Sequence, residues 1–149
     1  MQKLNLPDVE LKIKSKENKL FIFDPFRKKD ILLTPEEWVR QHFANYLVYH
    51  KNYPASLTVL ERELLLNNTK KRTDIVIYNT LGTPEIIVEC KAMDVKITQK
   101  TFDQIARYNL KLNATYLIVT NGLEHYFCQM DFEKQQYVFL KDIPNYNHS

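Results

Sequence analysis

The chain has 149 residues, 44% hydrophobic and 12% aromatic, which is enough for one core without disulfide or metal staples and too apolar for a disordered tail. Its 21 Lys and Arg stand against 18 Asp and Glu, so the balance is mildly basic and by itself names no polyanionic partner. With only two glycines, Gly82 and Gly122, there is no glycine-rich phosphate loop, which excludes an ATP-driven motor and a dinucleotide site.

Two cysteines, Cys90 and Cys128, are too few for a disulfide framework and lack metal-ligand spacing, which points to a reducing compartment. The segment Met1 to Glu10 has no signal-peptide core, and no run of 18 apolar residues occurs anywhere. The expectation is a cytoplasmic protein with no membrane partner and no ATP.

In chain order, Val9 to Leu33 reads as short strands, first Leu11 and Ile13 alternating with Lys12, Lys14 and Lys16, then Leu20 to Phe23, then Ile31 to Leu33, giving an N-terminal sheet edge or hairpin. Thr34-Pro35-Glu36-Glu37 is a helix start, with Thr34 as N-cap, Pro35 at the first helical position and Glu37 as capping-box partner. Trp38, Val39, His42, Phe43, Tyr46 and Tyr49 continue it at helical spacing to about His50. Three strands follow, 56–66, 72–79 and 85–92, broken by Asn67-Asn68 and by Leu81-Gly82-Thr83-Pro84, and their short spacing predicts an antiparallel meander. A second helix starts between Thr98 and Thr101, where Thr101 and Gln104 suit a capping box, and runs to about Leu112 with Phe102, Ile105 and Ala106 inward. Strands 115–120 and 123–130 flank Asn121-Gly122, a type I′ hairpin signal, and a last strand, 136–140, precedes a polar tail. The whole, 1–149, reads as a single domain: an N-terminal β extension (1–33), an α/β core (34–142) with a mixed sheet flanked by helices, and a tail (143–149).

Two strands carry charge where apolar residues are expected. Period-two alternation puts Ile87, Glu89 and Lys91 on one face, and a hairpin closing through Gly82 brings Asp74 beside Glu89. Two converging carboxylates repel unless a cation lies between them, and hard oxygen ligands suit Mg²⁺, with Mn²⁺ able to substitute. A nearby lysine stabilises the nucleophile or the charge that grows on a scissile phosphate, the equipment for phosphodiester hydrolysis. The plainer alternative is a solvated cross-strand ion pair of Glu89 with Lys91. The four histidines, His42, His50, His125 and His148, form no zinc pair and no nucleophile triad by spacing.

Asp at the start of an apolar strand, followed by apolar-apolar-Glu-x-Lys, resembles the PD-(D/E)XK nuclease superfamily. The stretches 34–43, 71–78, 87–92, 102–109 and 119–122 further resemble the N-terminal nuclease domain of type I restriction enzyme R subunits, and the resemblance covers nearly the whole chain. It implies a restriction-endonuclease-like fold that binds and cuts DNA, with Asp74 and Glu89 as metal ligands and Lys91 as catalytic lysine. It also implies the Cys90 carbonyl as a further ligand. The family's Gln-x-x-x-Tyr motif matches Gln104 and Tyr108, which share a helix face with Lys100 and Lys111 and could meet a phosphate backbone or brace the centre; a helix cap and a half-buried core aromatic are the alternatives. A glutamate on the first helix can complete such a site, and the register points to Glu36, with Arg40 one turn on; Glu61 is an alternative carboxylate. Lys71, Arg72, Lys100, Arg107 and Lys111 are the expected DNA contacts, and a homodimer suits cleavage of both strands. The rival reading is a nuclease-fold binding or assembly module without turnover.

Overall fold

Pairing separates the strands into two sheets in a computed structural model that describes residues 2–66 and 68–147. Strands β1 (Ile13–Lys16), β2 (Lys19–Asp24) and β3 (Lys29–Leu32) form an antiparallel three-stranded sheet of their own, in the order β1-β2-β3. The expected N-terminal hairpin is thus a three-stranded unit rather than an edge of the main sheet. The reversals at Glu17-Asn18 and Lys28 use positive φ, which lets so short a chain turn twice.

The second sheet has six strands in sequence order: β4 (Thr58–Leu66), β5 (Thr69–Tyr78), β6 (Pro84–Cys90), β7 (Tyr116–Thr120), β8 (His125–Asp131) and β9 (Gln136–Leu140). β4, β5 and β6 form the expected antiparallel meander, β6 pairs with β7 in parallel, and β7 to β9 return to antiparallel pairing. A parallel neighbour needs a crossover, and helix α2 (Gln99–Leu110) supplies it. Asn67 of the expected break, and His148 and Ser149 of the expected tail, lie outside the described residues.

Alternation along β6 divides the core. Ile86, Val88 and Cys90 pack with Val39, Phe43 and Leu47 from helix α1 (Pro35–Asn45) and the π-helical turn that continues it (Tyr46–His50). Ile87 instead joins Phe102 and Ala106 of α2, together with Leu117, Val119 and Cys128. One helix therefore covers each face, and each buried aliphatic side chain contributes roughly 1.5–3 kcal/mol.

Both helix starts need correction in detail. Thr34 caps α1 through a 3.0 Å bond from the Glu37 amide, but the Glu37 carboxylate turns inward to arginines instead of closing a capping box. The N-cap of α2 is Thr98, which accepts from the Thr101 amide at 3.2 Å, so Gln104 lies beyond the cap and has no capping role. The Asn121-Gly122 turn is not type I′ either: only Gly122 has positive φ, and Asn121 Oδ1 accepts from the Leu123 and Glu124 amides in a four-residue loop. Gly122 is required there, because a Cβ would lie 2.8 Å from the Leu4 side chain. The tail is not simply polar, since Ile143 is buried and the Tyr146 amide bonds to the Lys51 carbonyl at 2.8 Å.

Candidate active site

The β5–β6 register pairs Ile75 with Val88, and one residue further along the same count brings Asp74 to Glu89, as the hairpin geometry predicts. On its other side the β4–β5 register brackets Asp74 between Leu60↔Ile75 and Arg62↔Thr73, opposite Glu61. Glu61 adopts φ +54, which breaks the regular ladder at that point and turns its carboxylate to Arg27, 2.9 Å away.

Asp74 is held at both oxygens: Arg40 donates to Oδ1 at 2.7 Å and the Cys90 amide to Oδ2 at 2.7 Å. Glu89 differs. It is buried, its Oε1 has no hydrogen-bond partner, and its ion-pair contact is with Lys71 Nζ at 3.6 Å. Burial, followed by the negative charge of Asp74, pushes the Glu89 carboxyl up to about 7, while Lys71 and Lys91 pull the other way. Glu36 is likewise raised by burial and by Asp74, with Arg40 and Lys91 opposing. Lys91 is thus electrostatically coupled to both glutamates, and its amide is fixed by the Thr120 carbonyl at 2.8 Å. Asp74, Glu89 and Lys91 come together at one place, with Glu36 at its edge beside Arg40, 3.1 Å away.

A divalent cation fits this pair in one respect that can be read directly: the Glu89 carboxyl is buried against the negative charge of Asp74, and its Oε1 has no hydrogen bond, only the longer contact to Lys71. Among the described residues no group of three His, Cys, Asp or Glu side chains is arranged to hold a metal. Asp74 and Glu89 would therefore need a backbone oxygen to complete a set. The Cys90 thiol is buried among apolar side chains and pushed up by burial, which leaves only its carbonyl for that part.

Tyr108 is half-buried with an unpartnered hydroxyl, and its ring carries Lys71 Nζ 4.1 Å from the centroid, so it touches Glu89 through Lys71. Gln104 is exposed and has no hydrogen bond among the described residues. Lys100, Arg107 and Lys111 are exposed along the same helix, and Arg72 is exposed on β5.

Arg40 is placed by sequence reasoning one turn from Glu36 without a role, and Arg27 is missed altogether. Arg40, buried on α1, bonds Asp74, Glu36 and Glu37, while Arg27, from the β2–β3 turn, bonds Asp24, Glu37 and Glu61. Burial alone would lower the Arg40 guanidinium, but its bonds to Asp74 and Glu37 hold it above the ordinary arginine value. Arg27 lies in the Arg27-Lys28-Lys29 run, which reads as solvated surface; no pattern marks one of three adjacent cations as buried.

The fold and site thus define a mixed-sheet α/β protein in which Asp74, in the middle of β5 rather than at the start of a strand as expected, is paired with Glu89 near the end of β6, with Lys91 just beyond it. Residues 35–144 match the family described as Type I restriction enzyme R protein N terminus, and the chain belongs to that family. Among solved structures it is similar to a fragment of a putative HsdR subunit of a type I restriction enzyme from Vibrio vulnificus YJ016, with TM-score 0.51 and 17% identity over 76% of this chain. The match spans 24% of that structure's chain, and at this identity it speaks for the fold alone. No curated protein matches the chain. No helix among the described residues is long and apolar enough to cross a membrane.

Proposed function

We propose that the chain is a Mg²⁺-dependent DNA endonuclease that hydrolyses phosphodiester bonds, with Mn²⁺ able to replace Mg²⁺. The observation that carries this reading is the buried Glu89 carboxyl, without a hydrogen bond at Oε1 and raised by the charge of Asp74, since two carboxylates so close call for a shared cation. Asp74 and Glu89, with the Cys90 carbonyl, would hold the ion, and Glu36 is the carboxylate placed to join them. Bound there, Mg²⁺ would supply Lewis-acid polarisation of the phosphate and a more acidic water. Lys91 stabilises the charge that grows on the phosphate oxygens or on the nucleophile. Tyr108 keeps Lys71 over Glu89, and Arg72, Lys100, Gln104, Arg107 and Lys111 face the phosphate backbone. Cutting both strands of a duplex would engage two copies of the chain.

A second reading, a nuclease-fold binding or assembly module without turnover, is favoured by the Arg40–Asp74 contact, because the guanidinium already neutralises one of the two ligands. Incubation of the purified chain with labelled duplex, flap and single-stranded DNA in Mg²⁺, Mn²⁺ or EDTA decides between them. The nuclease reading expects cleavage with either metal and none with EDTA; an intact panel under all three conditions gives the second reading its place.

A further inference from the structure

The N-terminal sheet lies outside the residues matched to the family, and one of its faces is unexplained. On β2, Ile22 and Asp24 are fully buried, so alternation turns Lys19, Phe21 and Phe23 to the other face. The register adds their neighbours: Lys14 pairs with Phe21 and Phe21 with Leu32, Phe23 pairs with Asp30, and the Phe23 amide bonds to the Lys12 carbonyl. Lys12 and Lys16 share the parity of Lys14. The outward face therefore carries two phenylalanines and a leucine among four lysines, with Asp30 as its one acid on the strands. Phe23 is 37% and Leu32 46% exposed.

Each phenylalanine borders a hollow walled by lysines. Phe21 lines one of about 310 Å³ with Lys14, Lys16 and Lys19 and the acids Glu17 and Asp30; Phe23 lines one of about 280 Å³ with Lys12, Ile13, Lys14 and Asp30. Lys14 is paired with Asp30, but Lys12, Lys16 and Lys19 form no ion pair among the described residues. Leu32 then borders a third cleft, of about 540 Å³, whose walls include Glu36, Glu37 and Glu61 with Arg40 and Ala92. The aromatic and basic face thus leads toward Glu36 and Arg40 at the edge of the carboxylate site.

We propose that this face binds single-stranded nucleic acid, stacking bases on Phe21 and Phe23 and pairing phosphates with Lys12, Lys16 and Lys19, and feeds the strand along Leu32 into the cleft at Glu36. The chemistry selects the occupant. An apolar protein partner would desolvate the lysines without supplying counter-charges. A duplex supplies phosphates but hides its base faces from a flat sheet. An unpaired strand supplies both, and aromatic stacking with a cationic track is sequence-tolerant. Binding at the sheet does not depend on chemistry elsewhere; only the delivery of the strand to a cutting centre rests on the nuclease reading.

The test measures anisotropy of labelled dT20 and of a hairpin duplex of equal length with the full chain in EDTA, which keeps the probes intact. Phe21→Leu/Phe23→Leu keeps apolar volume but removes both π faces, and thermal melting confirms that it folds. The parent should prefer dT20, the double variant should lose at least about 5-fold on dT20 with the duplex unchanged, and Phe23→Trp should bind dT20 at least as tightly as the parent. Lys12→Gln/Lys16→Gln should flatten the dependence of log affinity on log salt by about 0.7 for each phosphate that the variant no longer neutralises. Parent-like binding of dT20 by the leucine double variant, or a parent that prefers the duplex, overturns the proposal. Cleavage on adding Mg²⁺ is scored separately: dT20 and duplex both left intact remove the nuclease reading and leave the binding result standing, whereas unchanged anisotropy in the double variant removes this proposal and leaves cleavage standing.

Discussion

Replacing Glu89 by glutamine should stabilise the metal-free protein at alkaline pH. The Glu89 carboxyl is buried and raised from 4.5 to about 7, so the folded state holds a proton that the unfolded chain has released over this interval. The sign follows from linkage: where the native state binds more protons than the unfolded one, stability falls as pH rises. The stabilisation is complete below pH 4.5 and is lost as pH passes through 7. Glutamine mimics the protonated carboxyl at every pH. With a shift of about 2.5 units at about 1.4 kcal/mol each, Glu89→Gln should gain on the order of 3 kcal/mol at about pH 8.5 over the parent and close to nothing at about pH 4. For a chain of this size that is a rise in Tm of roughly 6–12 °C. Thermal and urea unfolding at the two pH values, both in EDTA, measure it. Added Mg²⁺ should then raise the parent's stability at the alkaline pH, by about 2.7 kcal/mol at about 100 times Kd, and leave the variant unmoved. A variant no more stable than its parent at the alkaline pH would refute the claim that the carboxylate pair is electrostatically strained and waiting for a cation.

Asp74→Ala and Lys91→Ala should separate ligand from catalyst: calorimetric Mg²⁺ binding falls in the first and persists in the second, while cleavage falls in both, by about 10²-fold or more for Lys91. Thr98→Ala should cost about 1 kcal/mol as loss of the true N-cap, whereas Gln104→Ala should leave the melting curve unchanged and lower DNA affinity. Gly122→Ala meets both a left-handed φ of +89 and the Leu4 side chain at 2.8 Å, so a loss of about 1–3 kcal/mol is expected by chemical denaturation. Tyr108→Phe keeps the ring under Lys71 and should cut DNA like the parent, while Tyr108→Ala should not.

The elements most legible in the sequence are those whose signal is local. Thr34-Pro35 marks the start of α1, the hairpin through Gly82 brings Asp74 to Glu89, and the order of the strands follows from breaks every few residues. What stays hidden depends on contacts between distant segments. Glu37 has the spacing of a capping partner, yet Arg27 and Arg40 outcompete the local backbone for its carboxylate because a buried charge needs a charged partner. The cap of α2 is ambiguous because Thr98 and Thr101 both satisfy the pattern, and only φ and ψ at Thr98 choose between them and release Gln104 from a capping role. The third strand of the small sheet is legible in Ile31 to Leu33, but its polar start at Lys29 and its pairing into a sheet apart from the main one are not.

The Arg27 contacts bear on how this chain could be cut down. Matched residues 35–144 suggest a natural boundary just before α1, but the ion network ignores it: Asp24 and Arg27 lie upstream, and Glu37 and Glu61 downstream. A fragment beginning at Thr34 would keep Glu37, only 3% exposed, with one guanidinium in place of two, and Glu61 would lose its closest cation. Arg40 would be drawn toward the vacated acids and away from Asp74. The small sheet thus works as a remote counterweight on Asp74, so a minimal fragment would differ from the parent chain in the very charges that surround the proposed site.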